Sequence, residues 1–374
     1  MKRVALLTIF QVPNYGSVLQ AYATQRVLEK LGCQCDVINY RYPNHWHYAQ
    51  GLPKRSLKAK IAGLLGVKPA HRKANKLKKF IKEKLHLTRE YADFADLRRE
   101  DWLKKYDLVA VGSDQVWNTR FNKGDAAFVL SFLPDEMRRI SIASSFACRN
   151  LDDRFRSHFY RHLSKFNFLS VREENGRDII FELFKGEKEA DVLLDPTLLL
   201  DKEEWLELLP GNMPHPNKGR KYILLYGLYY SFEPRPMIFE LVKKYKELLK
   251  CDVIVLEGAP RAIDNCGFDF INAMDSSVEE FLNLFKCADF VVTSSFHGTA
   301  FAMNMECPLI SVVPDSGDDR ISTLLAKVGC SERGIRTSDD LPDVPLDVST
   351  RCHEALPALR KHALRWLAAA LMNN

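Results

Sequence analysis

The sequence predicts an α/β protein of two Rossmann-like domains, built on parallel sheets and facing across a cleft. Three observations lead there. The 374-residue chain is long enough for two hydrophobic cores. Short apolar runs of strand length alternate with amphipathic helical patterns, in one set before residue 210 and another after 220. A polar stretch rich in Pro and Gly, Pro210 to Arg220, separates the two sets. The expected domains are therefore 1–209 and 221–374, the second ending in a long amphipathic helix, Leu356–Leu371, that packs back on the protein.

The first set opens with a strand at Val4–Phe10, a polar turn at Gln11–Gly16 and a helix at Val18–Leu31. Leu19, Ala23, Val27, Leu28 and Leu31 share one face of that helix, and Gly32 suits its C-terminus. Asp36–Tyr40 follows as a strand and completes a βαβ unit. Its first turn carries only Gly16 where a dinucleotide fingerprint needs three glycines, so NAD and FAD are disfavoured. Two helical patterns come next: Leu57, Ile61, Leu64 and Leu65, then Ala74, Leu77, Ile81 and Leu85, with Gly66 and Pro69 between them. Strands are expected at Asp107–Val111, Ile140–Ala143 and Phe168–Val171, and a turn at Asp195-Pro196. The second set reads as strands at Tyr222–Tyr226, Val253–Leu256, Phe290–Val292 and Leu309–Val313. Helices are expected at Met237–Leu249, Val278–Phe285 and Thr299–Asn304.

Hydrophobic content of 46% and charged content of 27% are those of an ordinary soluble enzyme. No apolar run approaches the ~20 residues that span a bilayer. The basic N-terminus leads into an apolar run too short for a signal peptide and reads as a first strand. The nine cysteines show no C-x-x-C spacing of a zinc or redox site, so reduced thiols and a cytoplasmic location are expected. Charge is uneven. Residues 54–84 hold twelve Lys/Arg and one acid, Glu83, a local balance of +11 that leaves the rest of the chain at −5. This segment is expected to dock the protein peripherally on the inner face of a membrane, or else to form a solvated helical hairpin. Its one aromatic, Phe80, argues against nucleic acid, which needs stacking platforms.

Five polar motifs fall just after predicted strands or at helix starts, where open α/β sheets collect ligands. In the first, Asn14, Gly16, Ser17 and Gln20 offer close backbone approach and donors for hydroxyls or phosphate; the alternative is a helix cap. Val111-Gly-Ser-Asp-Gln-Val-Trp-Asn118 places Asp114 as a base or a cap, and Trp117 as a core plug or a sugar platform. Arg172, ending a strand, suits either bidentate capture of a carboxylate or phosphate, or a salt bridge with Glu173 or a neighbouring acid. Arg320 stands at a helix start as an anion clamp or a surface charge. His297, in Thr293-Ser-Ser-Phe-His-Gly-Thr299, sits in a strand–turn–helix where an acid/base group meets helix N–H donors, with Ser295, Gly298 and Thr299 beside it. No metal-ligand cluster is visible.

Taken in order, Asn14-Tyr-Gly-Ser-Val-Leu-Gln-Ala-Tyr22, Val111-Gly-Ser-Asp-Gln-Val-Trp-Asn118, Ser170-Val-Arg-Glu173, Asp195-Pro-Thr197, Ser295-Phe-His-Gly298 and Arg320 resemble the polysaccharide pyruvyl transferase family. The resemblance covers nearly the whole chain. It implies a GT-B-like fold and transfer of the enolpyruvyl skeleton of phosphoenolpyruvate to two hydroxyls of a sugar. The product is a cyclic ketal, and phosphate is released. It also implies a sugar or lipid-linked oligosaccharide acceptor, phosphoenolpyruvate as donor substrate with no further cofactor, and a donor held by Arg172 and His297. Asp114 becomes a second base or charge stabiliser. One departure stands out: several members read Arg-Leu-His-Gly where this chain has Ser295-Phe296-His297-Gly298. Arg320 or Arg261 then takes the anchoring role, or the donor differs. A nucleotide-sugar glycosyltransferase on the same two-domain frame is the alternative.

Overall fold

The computed structural model describes residues 1–41, 69–257, 263, 265–316, 320–342 and 352–372. Residues 54–68 and Arg261, which carry part of the sequence reading, lie outside them. Two compact units emerge: 1–60, 78–199 and 358–374 form the first, and 61–77 and 200–357 the second.

The first unit is built on a five-stranded parallel sheet. Its strands are β1 (Arg3–Leu7), β2 (Gln34–Tyr40), β3 (Leu87–Tyr91), β4 (Leu108–Val111) and β5 (Arg138–Ser141), in the order β3-β2-β1-β4-β5. β1 and β4 are apolar because helices cover a parallel sheet on both faces; every residue of β4 is buried. β6 (Ser170–Val171) and β7 (Asp191–Val192) pair in parallel, and bridges from Ile140 to Phe168 and from Ser144 to Val171 continue the sheet irregularly. The longer strand expected over 168–171 is thus a bridge followed by two paired residues.

Helices of eight or more residues are α1 (Tyr15–Lys30), α2 (Pro69–Lys84), α3 (Asp153–Leu163), α4 (Glu174–Leu183), α5 (Met237–Leu249), α6 (Val278–Lys286), α7 (Phe296–Asn304), α8 (Arg320–Lys327) and α9 (Leu356–Met372). In α2, Pro69 starts the helix, where a missing N–H costs nothing. Leu77 and Phe80 are buried, Phe80 edge-on to Tyr22 at 5.5 Å. Trp117 is a core residue of the first unit, fully buried among Phe146, Phe159 and Phe166, with its indole N–H donated to Phe128 O at 2.9 Å.

The second unit carries six parallel strands: β8 (Tyr222–Tyr226), β9 (Asp252–Glu257), β10 (Ile271–Asn272), β11 (Phe290–Thr293), β12 (Leu309–Val313) and β13 (Gly334–Arg336). Their order is β10-β9-β8-β11-β12-β13. All of β8, β11 and β12 is buried, and each such Leu, Ile or Val contributes about 1.5–3 kcal/mol.

Two expectations need correction. The C-terminal helix, expected in the domain 221–374, belongs from Ala358 onward to the first unit. Specific bonds explain this: Arg360 Nε donates to Leu198 O at 2.7 Å and Trp366 Nε1 to Asp191 Oδ2 at 2.5 Å, while Arg138 Nη2 caps the helix at Ala370 O, 2.6 Å away. The cysteines are not all thiols. Cys330 is bonded to Cys352 with Cα atoms 5.9 Å apart, while Cys33 and Cys35 are free and buried. A 22-residue separation gives no local spacing signal, so the pair is invisible in the sequence.

Candidate active site

Each sheet has a point where the strand order reverses. In the first unit the chain leaves β1 for β2 on one side while β4 lies on the other; in the second it leaves β8 for β9 while β11 lies opposite. The crevice outside the carboxyl ends of such strands is where α/β sheets bind ligands. Asn14, Gly16, Ser17 and Gln20 follow β1, Asp114 follows β4, and Ser295 to Thr299 follow β11, at these points; Arg172 follows β6 and Arg320 opens α8 after β12.

In the first unit, Asn14 is the N-cap of α1: its side chain accepts the Ser17 N–H at 3.2 Å. Capping starts the helix at Tyr15, so Ser17 and Gly16, the latter read from the sequence as the end of the polar turn, lie in its first turn. Ser17 Oγ donates to Asp114 Oδ2 at 2.7 Å, and both residues are buried. Asp114 sits in the loop after β4 at φ +65°, a left-handed conformation that few non-glycine residues adopt. Gln20 is fully buried; its Nε2 donates to Thr8 Oγ1 at 2.8 Å, Ile9 O at 2.9 Å and Ser17 O at 3.0 Å. It ties the β1–α1 turn together instead of presenting donors outward.

Of the two roles the sequence offers Arg172, the structure displays the ion pair. Nη1 donates to Asp195 Oδ2 at 2.6 Å and Nε to Glu173 Oε1 at 2.9 Å, while Nη2 lies 4.0 Å from Asp114 Oδ1. The side chain is 2% exposed. Burial alone would lower the guanidinium pKa, but Glu173, Asp195 and Asp114 outweigh it and raise the pKa, so the charge is permanent. Asp195 is held in turn by Thr197 N at 2.9 Å, Thr197 Oγ1 at 2.7 Å and Ser113 Oγ at 3.2 Å. Three buried carboxylates thus surround one buried cation, and Asp114 is the one whose hydroxyl partner, Ser17, comes from the β1 side.

In the second unit, Ser295 caps α7 by accepting the Gly298 N–H at 3.2 Å. The helix begins at Phe296, three residues before the expected Thr299, which puts His297 in its first turn. His297 is 7% exposed, and its ring lies edge-on to Phe296 at 5.2 Å. Arg320 opens α8 with its guanidinium 5.9 Å over the same Phe296 ring. Gly298 answers a packing need: a Cβ there would stand 2.8 Å from the Tyr226 ring and closer still to Thr293 Oγ1. Thr299 Oγ1 is shared between Ser311 Oγ at 2.7 Å and Ser295 O at 3.1 Å. Gly298 and Thr299 therefore seat the helix, while His297, Arg320 and the helix N-terminus supply chemistry suited to an anion.

Sequence reasoning missed the carboxylate of Asp195 as a partner of Arg172. The signal was present in Asp195-Pro196-Thr197, since an Asp before Pro is a side-chain cap for a short helix, and Asp195 caps the turn at Pro196–Leu198. Among the described residues no group of three or more His, Cys, Asp or Glu is placed to hold a metal ion.

Solved structures share this architecture. A glycosyltransferase from Rickettsia africae ESF-5 matches over 100% of both chains at 12% identity and a TM-score of 0.53. UDP-GlcNAc 2-epimerase from Methanocaldococcus jannaschii matches 97% of this chain and 93% of its own at 14% identity and a TM-score of 0.52. The Neisseria meningitidis UDP-GlcNAc 2-epimerase bound to UDP-GlcNAc matches 100% of both at 11% identity and 0.51. At such identities the likeness shows the fold alone, a parallel-sheet α/β architecture of the GT-B-like kind. Among curated proteins none matches the chain. The family model of polysaccharide pyruvyl transferase matches residues 14–316, from the cap of α1 past β12, and the chain belongs to that family.

Proposed function

We propose that the protein transfers the pyruvyl skeleton of phosphoenolpyruvate to two hydroxyls of a sugar in a cell-surface polysaccharide precursor. The observation that carries this reading is His297, in the first turn of α7 at the strand-order reversal of the second unit, within a chain of this family. The donor is assigned to the second unit, where the α7 N-terminus and Arg320 suit its carboxylate and phosphate. The acceptor is assigned to the first, where Asp114 and Ser17 can accept and relay a hydroxyl proton.

The chemistry balances without a cofactor. A proton delivered to the methylene carbon of phosphoenolpyruvate makes a methyl group and leaves an oxocarbenium-like centre. One sugar hydroxyl adds there, phosphate departs with its C–O bonding pair, and the second hydroxyl closes the ketal. Of the two hydroxyl protons released, one replaces the proton given to carbon and the other leaves with phosphate. His297 is the acid that gives the first proton, and Asp114 the base or charge stabiliser. Arg172 acts through the carboxylates it neutralises, holding Asp114 beside Ser17.

Mass spectrometry of candidate lipid-linked sugars incubated with phosphoenolpyruvate tests this. The product should gain the mass of pyruvic acid less one water, and the gain should vanish in His297→Ala. A second reading, a nucleotide-sugar glycosyltransferase, is favoured by Ser295-Phe296 standing where the resemblance would put Arg-Leu. It predicts thermal protection by UDP- or GDP-sugars and none by phosphoenolpyruvate. Work at the cytoplasmic membrane face, reached through the exposed lysines of α2, belongs to the same proposal. Among the described residues no helix is long and apolar enough to cross a membrane.

A further inference from the structure

A cavity of about 1070 Å³ opens in the second unit between the C-terminal half of α5 and the chain that runs from β9 to β10. None of its lining residues belongs to β11, α7 or α8, the elements that carry His297 and Arg320. Its inner wall is apolar. Ile263 and Met274 are buried, and Phe268 and Phe270 pack half-buried against the same core. Phe268 is held edge-on to Phe239 at 5.9 Å. The rim is polar and mixed in charge. Lys243, Lys246 and Lys250 line it at i, i+3 and i+7, a spacing that puts them on one face of α5. Lys243 is paired with Glu240 at 2.9 Å, while Lys246 and Lys250 form no ion pair among the described residues. Lys250 caps the helix in a left-handed conformation, φ +48°, that helix ends usually give to glycine. A cation kept at such a position calls for a use. Glu247, Asn265 and Asp269, all exposed, complete the rim.

We propose that this cavity is a second, non-catalytic site that binds a sugar bearing a carboxylate. Two ammonium groups about one turn apart, neither engaged elsewhere, suit one carboxylate through charge-assisted hydrogen bonds. Glu247 and Asp269 repel a phosphate group but accept hydrogen bonds from sugar hydroxyls, and the Asn265 amide both accepts and donates. Phe268 and Phe270 offer aromatic surface to the C–H face of a sugar ring. Small-ligand pockets run from roughly 300 to 1,000 Å³, so the cavity has room for one or two sugar units. A uronic acid and a sugar carrying a pyruvyl ketal both present the required carboxylate. The site lies outside the proposed transfer reaction and serves whichever donor that reaction uses.

Calorimetric titration of the full chain with digalacturonate, a pyruvylated methyl galactoside, maltose and UMP tests the proposal. At least one of the two acidic sugars should bind, about tenfold or more tighter than neutral maltose, and the tighter of the two names the source of the carboxylate. Lys246→Gln combined with Lys250→Gln should bring that affinity down to the level of maltose. The unliganded Tm should hold, because neither lysine is part of an ion pair. His297→Ala and Arg320→Gln should leave the titration unchanged. Failure of both acidic sugars to bind, or equal affinity in the double lysine variant, overturns the proposal. Binding that is lost in Arg320→Gln and kept in the lysine variant also overturns it, since the sugar then sits beside α7. Tighter binding of UMP that depends on the two lysines makes the occupant a nucleotide and overturns the sugar assignment. None of these failures touches the pyruvyl reading, which stands or falls on His297 and the mass of the transfer product.

Discussion

His297 and Arg172 are both nearly buried, yet their surroundings predict opposite consequences when they are replaced. His297 lies in the first turn of a capped helix, where Ser295 and Thr299 already secure the backbone. His297→Ala should lower turnover by roughly 10²-fold or more and leave Tm nearly unchanged. A large stability loss with normal specific activity in the folded fraction would return the residue to a structural role. Arg172 is the reverse case. Arg172→Met leaves Asp195 and Glu173 buried and uncompensated, which costs about 3–5 kcal/mol, so urea unfolding should register the change before kinetics does. Undiminished stability with a raised donor KM would instead restore the anion clamp that the family resemblance implies. Asp114→Asn separates chemistry from packing in the first unit. The amide still accepts from Ser17 Oγ but cannot serve as a base, so turnover should fall about 10²-fold with stability within about 1 kcal/mol. Wild-type turnover in that variant removes Asp114 from the mechanism. The sequence supplied the identities of these residues but not their partners. Residue type and position after a strand are local properties, whereas the closure of Arg172 on Asp195 joins residues 23 apart through a fold no motif encodes.

At the scale of elements, central strands were legible and edges were not. β4, β8, β11 and β12 are short continuous apolar runs because both faces are covered. β3 reads Leu-Thr-Arg-Glu-Tyr with only Tyr91 buried, and β10 is exposed at both residues. Edge strands face water, so they carry no apolar signature. Helix starts were misplaced by about one turn at α1 and α7, since Asn14 and Ser295 cap residues that look like turn. α3 escaped the sequence reading because only Phe159 and Leu163 are buried in it. It carries a testable pH response. The rings of His158 and His162 lie 4.9 Å apart. Burial first, then His158, Lys165, Arg161 and Arg139, pull the His162 imidazole down to about 4. Burial and Arg161 lower His158 as well. With a folded pKa below the unfolded value of ~6.5, the unfolded chain binds the proton first. Stability is therefore complete above about pH 6.5 and is lost as pH falls toward 4. The loss should be of order 1–2 kcal/mol after allowance for solvent around a partly exposed ring. Urea unfolding at pH 7.5 and 5.0 should show it, and His162→Gln should flatten the difference. An equal pH dependence in the variant places the acid sensitivity elsewhere.

For the molecule as a whole, family membership points to a transferase, and the uneven charge carries a prediction of where it works. The sequence places a balance of +11 in residues 54–84 of a chain otherwise at −5, and the structure refines which of those charges are available. Arg72 is paired with Asp275 at 2.5 Å and Lys76 with Glu280 at 2.8 Å, so these cations are already engaged. Leu77 and Phe80 are buried in the protein, which removes the apolar stripe needed for insertion into a bilayer. Lys78, Lys79, Lys82 and Lys84 remain exposed, tempered by Glu83 at 4.0 Å from Lys79. Attachment through α2 is therefore expected to be electrostatic and peripheral. Each lysine near an anionic surface contributes about 1 kcal/mol within a Debye length of roughly 8 Å at physiological salt. Four of them give reversible binding that salt can undo. In vesicle sedimentation the protein should pellet with phosphatidylserine-containing vesicles and not with neutral ones, and ~0.5 M salt should release it. Lys78→Gln, Lys79→Gln and Lys82→Gln together should abolish pelleting, while Lys76→Gln, which removes a charge already paired, should change it little. Equal binding to neutral vesicles, or none to anionic ones, leaves α2 as a helix whose lysines only face solvent.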